Sequence, residues 1–279
     1  PYTTLFRSNR FGWLNGKFVS NLSIYLKYCY LDGNCPFTWR QGIKHDLINV
    51  MVLKNNDLGD LINGTGEIVN VEDDFLFPFL KSSTLKSPII SKSDLTIILP
   101  QKSLRDTTDR LSETAPRLYS YLNSHYDEFI SRKSKIYKKN SPFAIFGIGD
   151  YTFSPFKIAI SGFYKTPNFV LLMNDKNIPL MLDDTCYYLS FFDIKTAIFT
   201  WLLLQLSEVK EFLSSIVFID AKRPYTKDIL MRLNIIQLAQ AVKFQNLLEI
   251  YSQYQDQFMN NDLTESDWLN YLRNLKSET

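Results

Sequence analysis

Two short stretches between Lys138 and Gly162 carry residue types that methyl-transfer chemistry uses. Asn140-Ser141-Pro142-Phe143 differs by one residue from an Asn-Pro-Pro-aromatic loop, in which an amide and a neighbouring carbonyl hydrogen-bond the amine of an extruded adenine. Phe146-Gly147-Ile148-Gly149 has the form of a glycine turn that cradles S-adenosylmethionine. Their spacing speaks against a catalytic centre. A methyl donor and a target base need separate strand ends that converge only in space, and here two residues separate the candidates. The glycines also lack a preceding acid and a following helix, since "DYTFSPFKIAI" continues as strand material, and the first proline of the adenine loop is missing. We therefore expect no catalytic residue here. The same stretch makes sense as a reader of a ligand: Gly147 and Gly149 permit close backbone approach, Tyr151, Phe153 and Phe156 offer flat apolar surface, and Lys157 offers a phosphate contact. Core packing is the alternative for Phe153 and Phe156.

Other loops collect groups suited to duplex DNA. Trp39-Arg40-Gln41 with Lys44 and His45 joins Arg and Gln for base edges, Lys for phosphate and Trp as a wedge or stacking face. Lys81-Ser82-Ser83 offers one cation and two hydroxyls for consecutive phosphates. Arg132, Lys133, Lys135, Lys138 and Lys139 form a basic run without an intervening acid. Lys222-Arg223-Pro224 follows an expected strand end, where the proline orients the two cations outward. "LDDT", 182–185, reads as a structural turn whose carboxylates hold Lys or Arg side chains, and not as a metal site.

With 279 residues, 45% of them hydrophobic and 15% aromatic, the chain is long and apolar enough for a sizeable core, which excludes whole-chain disorder. A net charge of +2 means that nucleic-acid binding has to come from local clusters. Cys29, Cys35 and Cys186 have no metal or redox spacing, even with His45 and His125, and read as reduced thiols of a cytoplasmic protein. The longest apolar run, "TAIFTWLLLQL", is too short to cross a bilayer and reads as a buried helix, so no membrane partner is expected. The opening "PYTTLFRS", residues 1–8, matches the translation of a sequencing-library adapter and is set aside as an artefact, with the natural chain continuing upstream.

The elements that position these groups alternate in kind. "FVSNLSIYLKYCY" reads as one or two strands, Leu31 to Asp46 as a loop, Asn63 to Gly66 as a turn, and Pro78 as a break after strand-like residues. "DLTIILP" is a strong strand, and apolar spacing predicts one long helix from Pro116 to Tyr137. Short runs follow ("FAIFGI", "KIAISGFY", "FVLLM", "IPLML", "CYYLSFF"), then helices over Ile194–Leu206 and Glu208–Ser214, a strand "IVFID", and further helices near Lys227–Leu233 and over "QLAQAVKFQNLLEIYSQYQDQ". The class is α+β: an antiparallel or mixed sheet forming a partial barrel, packed helices, a helical C-terminal part, and no complete Rossmann-like methyltransferase domain. We divide the chain into a β-rich start at 9–100, a core at 101–235 and a helical segment at 236–279.

"FAIFGIGDYTFSPFKIAISGFYK" followed by "PLMLDDTCYYLSF" resembles the target-recognition part of site-specific adenine-N6 DNA methyltransferases of restriction-modification systems, the TaqI-like specificity domain. "TWRQGIKHD", "GEIVNVEDDFLFPFLKSSTL", "YLNSHYDEFISRKSKIYKK" and "FIDAKRPYTKDILMRLN" fit the same pattern, so the resemblance covers most of Thr38 to Asn234. It implies a bilobal enzyme in which an N-terminal lobe binds S-adenosylmethionine and methylates a rotated adenine, while a C-terminal lobe reads double-stranded DNA. On this reading the chain is the second lobe and binds no cofactor or metal, the parent enzyme uses S-adenosylmethionine, and the missing catalytic lobe is its partner. The alternatives are a fragment of a restriction endonuclease, with Asp183, Asp184 and Lys222 as a nuclease-like cluster, and a scaffold that docks a modification subunit.

Overall fold

A computed structural model describes residues 11–14, 16–174, 178–258 and 261–277; the stretch 1–8, read above as an artefact, lies outside them. The strands are β1 (Gly12–Leu14), β2 (Lys17–Val19), β3 (Arg40–Gln41), β4 (Val52–Asn55), β5 (Leu61–Ile62), β6 (Leu76–Leu80), β7 (Ile89–Ile90), β8 (Leu95–Ile98), β9 (Phe156–Ser161), β10 (Val170–Met173), β11 (Met181–Leu182) and β12 (Cys186–Phe191). The helices are α1 (Leu22–Tyr28), α2 (Ile48–Met51), α3 (Leu111–Thr114), α4 (Pro116–Ser124), α5 (Tyr126–Ile130), α6 (Ile194–Gln205), α7 (Ser207–Ile216), α8 (Lys227–Leu230), α9 (Ile235–Ala241), α10 (Phe244–Ser252) and α11 (Glu265–Ser277). The chain is α+β, as its pattern suggests. Two five-stranded mixed sheets, ordered β3-β12-β9-β10-β7 and β11-β6-β8-β4-β5, stay open, and β1-β2 forms a separate hairpin. Neither sheet closes into a barrel.

The first sheet is covered on both faces, which is why β9, β10 and β12 are mostly apolar and buried along nearly their whole length. The period of two sorts them: Ile158, Ile160, Leu171, Leu189 and Phe191 join the core with α6, α7 and α9. Ala159, Val170, Leu172, Cys186 and Tyr188 pack on Leu80, Leu85 and Leu182 instead. Helix α6 is buried along one unbroken stretch from Ala197 to Leu204, so it is apolar on every side. Its start is fixed by Asp193, whose carboxylate accepts from the Thr196 N–H at 2.7 Å. A second core joins β4, β6 and β8 to α4, α5 and Phe143, Ile145 and Ile148.

Several local expectations change. "FVSNLSIYLKYCY" ends β2 and then forms α1, capped by the Asn21 side chain on the Ile24 N–H at 3.2 Å. Pro78 lies within β6, opposite Thr96, so the strand runs through it. The long helix from Pro116 is two, α4 and α5, which break at His125, whose φ of −105° and ψ of 20° leave the helical range, and α5 ends at Ile130, ahead of the buried Arg132. "FAIFGI" makes only a single bridge, Phe146 to Lys44. "IVFID" is no strand: α7 takes Ile216, and Phe218 and Ile219 are exposed. The segment after Asn234 splits into α9 and α10 at Val242.

Candidate nucleic-acid interface

Three segments far apart in sequence meet at the edge of the first sheet. Strand β3 pairs with Tyr187 and Tyr188 of β12. The Gly42 N–H then donates to the Cys186 carbonyl at 3.0 Å and the Ile43 N–H to the Leu182 carbonyl at 2.7 Å. Lys44 and Phe146 exchange both backbone bonds, at 2.9 and 3.0 Å. Backbone lies directly on backbone here. A Cβ on Gly42 would overlap the carbonyl oxygens of Leu182 and Asp183, and one on Gly147, whose φ is +72°, would stand 2.5 Å from the Gly42 oxygen. The glycine turn is thus filled by the chain itself and does not fit S-adenosylmethionine. This corrects the expectation that Gly147 approaches a ligand. Gly149 is half-buried against the Tyr151 ring.

Side chains on this frame form a rim on which Arg40 and Gln41 are exposed and Lys44, Tyr151, Phe163 and Arg223 half-buried. The Arg40 guanidinium lies over the Tyr151 ring, 4.7 Å from its centroid. Gln41 Nε2 donates to the Asp184 carbonyl at 2.6 Å. Arg223 Nη1 also reaches that carbonyl, at 3.5 Å, while its guanidinium lies 4.9 Å over the Phe163 ring. Tyr151 and Phe163 thus each hold one arginine plane, Arg40 on β3 and Arg223 beside the Asp183–Thr185 turn, which limits the rotamer freedom a long cation loses on meeting a base edge. Lys44 pairs with Asp46 at 2.6 Å and stands 4.0 Å from an Asp184 oxygen. Partial burial and the neighbouring Asp183 push the Asp184 pKa up, only partly offset by Lys44 and Arg223. Lys222, next to Arg223, is exposed.

Four expected contacts are buried and serve the fold. Trp39 is 0% exposed and packs against Phe169, with ring centroids 5.9 Å apart, so it is no wedge. His45 is buried; its Nδ1 accepts from the Leu47 N–H at 3.1 Å, and burial lowers its pKa to about 4, leaving the ring neutral at pH 7. Arg132 is buried, and its guanidinium donates to the carbonyls of Phe129, His45, Ala144 and Pro142 at 2.6 to 3.1 Å while covering the Tyr137 ring. The basic run consequently loses its first member, whereas Lys133 stays exposed. Lys157 is 1% exposed and donates to the Ser154 carbonyl at 2.8 Å. β-strand alternation places it on the inner face with Ala159, a position that a phosphate cannot reach. Lys81, Ser82 and Ser83 form a short turn closed by Thr84 Oγ1 on the Lys81 carbonyl at 2.8 Å, directly after Leu80, whose carbonyl accepts from the Asp183 N–H at 3.0 Å.

Phe163 is the rim residue the sequence reading passes over; its signal is the aromatic pair directly after Gly162 in "SGFYK". The proposed nuclease trio does not assemble as one. The Asp183 carboxylate is taken by the Thr185 N–H at 2.8 Å and by the Thr185 hydroxyl. Among the described residues no group of three His, Cys, Asp or Glu side chains is arranged to hold a metal, and no helix is long and apolar enough to cross a membrane.

No family model matches the sequence. Over 236 residues, 84% of this chain, it is 41% identical to the Type II methyltransferase M.NspV of Nostoc sp., of which the match covers 48%. Among solved structures, the Type IIL restriction-modification enzyme MmeI, in complex with DNA, aligns over 87% of this chain and 32% of its own with a TM-score of 0.44 and 9% identity, a likeness too slight to carry an inference. The chain is therefore similar, along most of its length, to a Type II methyltransferase, and it spans about half the length of that relative.

Proposed function

We propose that this chain is the DNA-reading portion of an S-adenosylmethionine-dependent, adenine-specific methyltransferase of a restriction-modification system. In this reading the machinery that binds the cofactor and moves the methyl group lies on the other half of the parent protein, and the two halves enclose double-stranded DNA. The observation that carries it is the rim itself. Arg40, Gln41 and Arg223 gather at the sheet edge: Gln41 and Arg223 meet on the Asp184 carbonyl, and Tyr151 and Phe163 hold the Arg40 and Arg223 guanidinium planes. Arginine in a fixed plane suits bidentate recognition of guanine, and the glutamine amide suits adenine. Lys44, Lys222 and Lys133 supply phosphate contacts nearby or alongside, and the relative's name supports the enzyme class.

The test is duplex selection from a randomised pool by the 279-residue chain, followed by fluorescence-anisotropy titration of the selected and a scrambled duplex. Preference for the selected duplex is expected, falling by about 1–3 kcal/mol in Arg40→Ala. A folded chain without duplex affinity at low salt overturns the proposal, as does full discrimination in both Arg40→Ala and Arg223→Ala.

A further inference from the structure

A cleft of about 850 Å³ opens between α7 and the chain that links β9 to β10. Lys86, Tyr164 and Lys165 stand on one wall, and Lys210, Glu211 and Ser214 on the other. We infer that this cleft is a second DNA contact, taking a stretch of phosphodiester backbone outside the base-reading rim. The inference rests on the DNA-reading role proposed above and extends it to a separate set of residues.

Three observations carry it. First, the charge is one-sided: three lysines and one carboxylate line the cleft, and the Lys86 and Lys210 side chains, both exposed, make no hydrogen bond or ion pair among the described residues. Cations held apart from any partner in a concave surface focus the field that a polyanion follows. Second, the walls are fixed. Lys165 Nζ donates to the Ala221 carbonyl at 3.2 Å and to that of Ile219, and the Tyr225 hydroxyl donates to the Lys165 carbonyl at 3.2 Å. Asn168 Nδ2 ties the same wall to the Leu85 carbonyl at 3.0 Å. Third, the cleft continues from the rim. Phe163, the platform under Arg223, directly precedes Tyr164 of the cleft wall, and Lys165 anchors the segment that carries Lys222 and Arg223. The ligand implied is extended and anionic, with the hydroxyl of Tyr164 as an additional donor to phosphate oxygens.

The experiment measures duplex affinity of the full chain over a salt series, for the parent protein, Lys86→Ala/Lys210→Ala, Glu211→Gln, and a control pair Lys102→Ala/Lys243→Ala whose exposed lysines do not line the cleft. Each lost phosphate contact flattens the slope of log K against log salt by about 0.9, so the double variant is expected to lose about 2 in slope. It should bind several-fold more weakly at low salt with its preference for the selected duplex unchanged, while Glu211→Gln binds more tightly and the control pair behaves like the parent. An unchanged slope in the double variant overturns the inference, with the rim reading left standing if Arg40→Ala still loses discrimination. Weakening confined to the selected duplex also overturns it, since it would make these lysines readers of sequence. A parent chain that binds no duplex overturns both proposals together.

Discussion

Lys157 gives the sharpest test of how this fold is balanced. Its side chain is 1% exposed on the inner face of β9, with one hydrogen bond, to the Ser154 carbonyl. Burial lowers its pKa from the ordinary 10.5 to about 7. Between those two values the unfolded chain holds a proton that the native chain lacks, so stability rises with pH by up to about 1.4 kcal/mol per unit. The stabilisation is full above pH 10.5 and is lost as pH falls through about 7. Over that span the cost of keeping the cation indoors reaches about 5 kcal/mol. Lys157→Met keeps most of the side-chain volume and removes the charge, at the cost of leaving the Ser154 carbonyl without its donor, about 1–3 kcal/mol. Urea unfolding followed by tryptophan fluorescence, at steps from about pH 6 to pH 10, should show the variant as the more stable protein at the acid end by about 2–4 kcal/mol. The two stability curves should cross toward the alkaline end. Subtracting one curve from the other removes what the two proteins have in common. Parallel curves across this range would refute the reasoning, because they would mean that Lys157 keeps its proton when folded.

Arg132 should be hard to replace: Arg132→Met leaves the His45, Ala144 and Pro142 carbonyls without their donor and is expected to cost at least about 3 kcal/mol in denaturant unfolding, with Arg132→Lys intermediate because an ammonium cannot reach all three. Gly147→Ala places a Cβ 2.5 Å from the Gly42 oxygen at a φ of +72°, so thermal melts should show a loss beyond the roughly 1–2 kcal/mol of the backbone term alone. Gly59→Ala, at a φ of +89° with nothing within 4 Å, should show that backbone term by itself, and equal losses at the two sites would refute the close-packing account.

Much of this protein is legible along the chain. The α+β class, the strands β8, β9, β10 and β12, and the buried helix α6 follow from local periodicity and apolar length, because in each the side chains that must be buried recur at the element's own period. The segments that build the rim are legible too, since turn-forming glycines and an arginine–glutamine pair stand out in any loop. What they do individually is not. Charge marks Arg40, Arg132, Lys157 and Arg223 alike as surface residues, yet two of these line the rim and two lie inside. Residue types and the elements that carry them can be read along the chain. Which way each long cation points is settled only once distant segments pack. That choice depends on whether carbonyls from distant segments, such as His45, Pro142 and Ala144 around Arg132, gather to replace water, and no local pattern encodes such a gathering.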